Sequence, residues 1–122
     1  MHLQSLSLVV PTRNDSKILA DFVKDVDETC SSLGISYEVI CVDNGSTDNT
    51  AEVAQNLGFV YKVSYHPKTA NHSKATRIID GIWHAQYPII AVIDAPSTYS
   101  ALTITDMAYK VASGKVDILV AK

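Results

Sequence analysis

Short apolar runs alternate with segments of helical spacing along the whole chain, and this order constrains the fold more than any single residue does. The run over residues 6–10 breaks at Pro11, which predicts a strand ending in a loop. Ile18, Leu19, Phe22, Val23, Val26, Cys30 and Leu33 then recur every three or four positions, with Asn14, Asp15 or Ser16 as candidate caps and Gly34 as the stop. Residues 37–42 are apolar almost without interruption, as suits a strand covered on both faces. Val53, Ala54 and Leu57 mark a short helix that Gly58 can end, and residues 59–65 alternate as a third strand that stops before Pro67. A polar stretch over residues 66–73 leads into a helix carrying Ala75, Ile78, Ile79, Ile82 and Trp83. Pro88 opens a fourth strand over residues 89–93. Leu102, Met107, Ala108 and Val111 form a last helical stripe before Gly114, and residues 116–121 read as a fifth strand.

Strands and helices in strict alternation imply a mainly parallel sheet of about five strands with helices on both faces, because right-handed crossovers place them there. The expected fold is therefore α/β, a three-layer α/β/α Rossmann-like sandwich, and 122 residues suit a single domain over residues 1–122. Ligands of such sheets bind beyond the carboxyl ends of the strands. That directs attention to residues 11–15, 43–49, 66–73 and 94–100.

Composition narrows the partners. A formal charge of −3 argues against nucleic acid, whose phosphates need a basic face. No apolar run reaches the ~18–20 residues of a membrane span, and the first residues lack a basic-then-apolar signal pattern. Cys30 and Cys41 stand in apolar patterns without metal-ligand spacing and read as buried reduced thiols. The expected compartment is the cytoplasm, where the three Asn-x-Ser sequons at Asn14, Asn44 and Asn71 carry no meaning.

The most distinctive chemistry is Val42-Asp43-Asn44-Gly45-Ser46-Thr47-Asp48, at the end of the second strand. A carboxylate or amide there can accept from a base N–H or a ribose hydroxyl. Gly45 permits a tight turn, and Ser46, Thr47 or Asp48 can cap the next helix. Together with Leu8-Val9-Val10-Pro11-Thr12-Arg13-Asn14-Asp15, this loop resembles the opening of a family 2 glycosyltransferase of the GT-A fold. The resemblance implies a nucleotide-diphosphate sugar as ligand. Pro11, Thr12 and Asn14 would lie along the nucleoside, and Asp43 and Asn44 would contact the base. Asn71-His72-Ser73-Lys74-Ala75 occupies the entry to the third helix, where Lys74 would sit near a phosphate. Residues 89–93 followed by Asp94-Ala95 resemble the strand leading to the family's Asp-x-Asp motif.

This chain reads Asp94-Ala95-Pro96, so a proline stands where the second carboxylate is expected. Proline supplies neither a side-chain ligand nor a backbone donor. Asp94 is then the sole candidate ligand for a Mg²⁺ or Mn²⁺ ion, with phosphate and water left to complete the octahedron. Charge on the departing diphosphate would be met by such a cation or by Lys74 and Arg77. Family enzymes displace directly at the anomeric carbon, and inverting members need a carboxylate base, which no remaining Asp or Glu obviously supplies. By this resemblance, residues 1–122 are expected to lack the family's acceptor-binding part, so acceptor, homo-oligomer and partner subunit stay open. His66 and His72 are candidate phosphate contacts, while His84 is expected beside Trp83.

Two other readings follow from the same residues. One is a binding-only or regulatory remnant that kept the fold and lost the chemistry, with nucleotide binding insensitive to metal removal. The other is a phospho-receiver domain, which would need an acidic pair after the first strand, where Pro11-Thr12-Arg13-Asn14 stands. A dinucleotide-binding domain is excluded by the lack of G-x-G-x-x-G after that strand.

Overall fold

A computed structural model describes residues 3–14, 16–68, 73–94, 96, 100–112 and 119–121. The elements follow the order β1 (Ser5–Thr12), α1 (Ser16–Leu33), β2 (Ser36–Asn44), α2 (Thr50–Leu57), β3 (Val63–Lys68), α3 (Lys74–His84), β4 (Ile90–Ile93), α4 (Ala101–Ala112) and β5 (Leu119–Ala121). They build one five-stranded sheet in the order β3-β2-β1-β4-β5, parallel throughout. The chain winds outward from β1 to β3 and then returns to the other side of β1. The switch in strand order therefore falls between β1 and β4, where such sheets open a crevice.

Both faces of the central strands are covered, which explains their unbroken apolar character. Leu6, Leu8 and Val10 of β1, with Tyr37, Val39 and Cys41 of β2, join the main core with α1, α2 and α4. Val9, Ile40, Val42 and Val92 point to the opposite face, where Ile78 and Ala85 cover them. Each such side chain contributes roughly 1.5–3 kcal/mol when fully buried, so a strand buried on both faces is held firmly. Cys30 and Cys41 are free, buried thiols. Burial raises them to about 11 and about 12, so neither is a nucleophile near neutral pH. Among the described residues no helix is long and apolar enough to cross a membrane.

Three expectations change. First, β1 continues through Pro11 to Thr12. The last β1–β4 partner pair is Val9 with Val92, so at Pro11 only β2 still pairs and the missing N–H costs little. Second, β3 starts at Val63 and runs through Pro67 to Lys68. It is an edge strand, which tolerates proline, whereas Phe59 and Val60 lie in a turn and are exposed. Third, the apolar stripe of α3 is rotated. Arg77 and Gly81 are buried, while Ile79, Ile82 and Trp83 face outward. A Cβ on Gly81 would stand 2.5 Å from Val9 Cγ1 and 2.9 Å from Val42 Cγ2, so the glycine lets α3 lie directly on the sheet. In the fourth helix, likewise, Leu102 is exposed and Ile104 and Thr105 are buried. Gly114 and residues 116–118 of the expected fifth strand lie outside the described residues.

Candidate functional site

β1 and β2 run out side by side, with Pro11 opposite Val42 and Thr12 opposite Asp43. Their polar loops consequently emerge together at the carboxyl edge of the sheet. Asn14 takes a left-handed backbone, φ 54°, which asparagine tolerates better than most residues. From there its side-chain Oδ1 accepts from the N–H groups of Thr47 at 2.9 Å and Asp48 at 3.2 Å, while its own N–H donates to Ser46 Oγ at 3.0 Å. Gly45 turns the loop with φ 64°. Asp48 accepts from the Thr50 hydroxyl and from the Thr50 N–H at 2.9 Å, which anchors the first turn of α2. The Thr50 hydroxyl, chiefly, holds the Asp48 carboxyl below the usual carboxylate range. Asn14 thus serves as a latch between two loops, not as a cap for α1; Asp15, beside the start of that helix, lies outside the described residues.

Asp43 is buried behind the latch, with 2% of its surface exposed. Its Oδ1 accepts from Ser46 Oγ at 2.5 Å and, more weakly, from Thr12 Oγ1 at 3.4 Å; its Oδ2 accepts from the Tyr65 hydroxyl at 2.5 Å. Burial first, and then this bond to Asp43, push the Tyr65 phenol above its ordinary value. A buried carboxylate is tolerated only when its oxygens are so satisfied. Asp43 therefore knits β1, β2 and β3 together at their carboxyl ends.

In front of these groups lies a cavity of about 210 Å³ lined by Pro11, Thr12, Arg13, Asn44, Lys74, Arg77 and Asp94. It lies at the switch point, between the ends of β1, β2 and β4 and the first turn of α3. Ser73 caps α3 by accepting from the Thr76 N–H at 3.1 Å, which places Lys74 as its first residue. The Lys74 ammonium donates to Asp94 Oδ2. Asn44 contributes a side-chain oxygen that is buried without a hydrogen-bond partner. Such an orphaned acceptor is costly, and a ligand donor is one way to satisfy it.

The donor set around the cavity is poor for a metal ion. Among the described residues no three His, Cys, Asp or Glu side chains come together. Asp94, the one carboxylate among the described lining residues, already holds an ammonium, and Pro96 is buried and has no side-chain ligand to give. These residues do not fit a divalent cation held by the protein.

Of the residues singled out from sequence, the structure brings Pro11, Thr12, Asn44, Lys74 and Asp94 around one cavity. Asn14 and Asp43 stand behind it as supports. Arg13 is the lining residue that sequence reasoning passed over; its place directly after Thr12 at a strand end was the available signal. His66 lies in β3 opposite Val42, away from the crevice loop assigned to it, and its ring meets His84 edge-on at 4.0 Å. His84 therefore packs on His66 and not on Trp83, which is 83% exposed. Asn71, His72 and Ala95 lie outside the described residues.

Comparison with known proteins bears on the whole arrangement. The chain is 30% identical over 97 residues to an undecaprenyl-phosphate 4-deoxy-4-formamido-L-arabinose transferase of Edwardsiella ictaluri, covering 76% of this chain and 29% of the relative. It is 30% identical over 90 residues to a dolichol-phosphate mannosyltransferase of Pyrococcus furiosus, covering 74% and 25% respectively. The chain thus spans between a quarter and a third of the length of these relatives. Among solved structures, mannosyl-3-phosphoglycerate synthase from Rubrobacter xylanophilus superposes with TM-score 0.63 at 19% identity, over 79% of this chain and 32% of that one. A Pyrobaculum calidifontis mannosyltransferase, solved with GDP-Man and Mn²⁺, superposes with TM-score 0.57 at 19% identity, over 74% and 27%. At that identity the likeness speaks for the fold, which is the GT-A form of the Rossmann-like sandwich. The family model for glycosyl transferase family 2 matches residues 7–122, nearly the whole alternating pattern and both strand-end loops, so the chain belongs to glycosyl transferase family 2.

Proposed function

We propose that this chain is the donor-binding half of a glycosyltransferase, taking a nucleotide-diphosphate sugar into the crevice between β1 and β4. The observation that carries this reading is the unpartnered Asn44 oxygen beside a cavity lined by Arg13, Lys74 and Arg77. An uncommitted acceptor and several cations around one cavity suit a base or ribose donor joined to a diphosphate. Thr12 and Pro11 border the nucleoside, Asn44 accepts from it, and Asp43 and Asn14 keep the two loops in register behind. Asp94 remains a candidate for the ribose or sugar.

The sugar moves by direct displacement at the anomeric carbon, with the diphosphate leaving as an anion. Acceptor binding, and for a hydroxyl acceptor the base that takes its proton, are assigned to no described residue of this chain. A polyprenyl phosphate is the first acceptor to try, since the names of two relatives at 30% identity carry one; its phosphate oxygen is already anionic and would attack the anomeric carbon without a base. The buried reduced thiols favour a cytoplasmic setting.

The test is a thermal-shift screen of UDP, GDP, dTDP and CDP with Mn²⁺ present, repeated on Asn44→Ala. One nucleotide should raise the melting temperature of the wild-type chain, as selective binding to the folded state requires. Asn44→Ala should weaken that nucleotide's binding about tenfold, roughly one charge-free hydrogen bond in a buried site. Equal shifts for both proteins, or none with any nucleotide, would remove Asn44 or the whole donor site from consideration.

A further inference from the structure

We propose that this crevice meets the donor diphosphate with its own cations, chiefly Lys74, and binds nucleotide without a divalent metal; the inference rests on the donor-binding reading above. Among the described residues, three cationic ones, Arg13, Lys74 and Arg77, line the cavity against one carboxylate, Asp94. That carboxylate holds the Lys74 ammonium at the end of β4, so a lysine occupies the coordination that a cation would need. A divalent ion entering here must displace the ammonium and sit among like charges, and both cost free energy. Pro96 removes the carboxylate that could compensate.

The arrangement also favours the anion directly. Lys74 is the first residue of α3, an 11-residue helix whose N-terminal end carries partial positive charge. Lys74 is half exposed, and Asp94 less so, which leaves the ammonium free to swing from its carboxylate to an arriving phosphate. Asp94 on this view is a positioning residue that parks the lysine at the mouth of the site. The cations neutralise charge only; no covalent bond to the diphosphate is made or broken in binding.

The experiment is isothermal titration of the 122-residue chain with the nucleoside diphosphate selected by thermal shift, in EDTA and again in millimolar Mn²⁺. The dissociation constants should agree within about twofold. Lys74→Gln should weaken binding at least tenfold in both buffers, and Lys74→Arg should keep most of it. Circular dichroism of each variant separates a lost cation from a lost fold. Binding that requires Mn²⁺, or a Lys74→Gln variant that binds as the wild type does, overturns the metal-free inference and leaves the donor-binding reading standing. Failure of every nucleotide in both buffers overturns the donor-binding reading itself, and this inference with it.

Discussion

Gly81→Val is expected to destabilise the domain by about 3 kcal/mol and to abolish nucleotide binding along with it. A Cβ at this position would stand 2.5 Å from Val9 Cγ1 and 2.9 Å from Val42 Cγ2, and both valines are fully buried in the sheet. Neither can retreat, since each belongs to the small core between α3 and the sheet. The helix must lift instead. Lys74 and Arg77 ride on the same helix, so lifting it moves two of the cations that line the cavity. Gly81→Ala should cost less, because the higher helix propensity of alanine returns about 1 kcal/mol. Urea denaturation of the variants measures the first effect, and titration with nucleotide the second. A Gly81→Val protein with an unchanged midpoint would show that α3 does not rest on the sheet as described.

Asp43→Ala should cost about 3 kcal/mol, because a charged acceptor disappears and the hydroxyls of Tyr65, Ser46 and Thr12 lose their shared partner. Tyr65→Phe alone should cost about 1.5 kcal/mol, the value of one bond to a charged group. If the carboxylate acts through Tyr65, the double variant should cost at least 1 kcal/mol less than the two single changes added together. Simple additivity would mean that the contact does not hold β2 to β3. Asp43 also bears on function through Thr12, which borders the cavity, so Asp43→Ala should weaken nucleotide binding as well as the fold.

Much of this fold was legible in the sequence because its central strands are covered on both faces, and continuous apolar runs such as Val39 to Val42 announce that burial. The strand ends were harder. Proline reads as a breaker, yet Pro11 and Pro67 both continue strands, since each sits where a neighbouring strand is missing. The orientation of α3 could not be read from hydrophobic periodicity, because the residue in closest contact with the sheet is a glycine with no hydrophobicity to count. Trp83 and Ile79 then drew the apolar stripe toward the wrong face. The site was legible as a set of loops, and less so as individual roles. Asp43 and Asn14 are polar residues in the right loops, but their side chains are spent on neighbouring hydroxyls and amides. Only three-dimensional register shows that Asn44, one position on from Asp43, keeps an uncommitted oxygen.

The crevice between β1 and β4 as the nucleotide site is tested most directly by mapping backbone amide chemical shifts while a nucleoside diphosphate is added. The largest changes should fall on Thr12, Arg13, Asn44, Lys74, Arg77 and Asp94. Changes centred on the tyrosine-lined hollow at the opposite edge of the sheet, about 310 Å³ and bordered by Tyr37, Tyr61 and Tyr87, would contradict that placement.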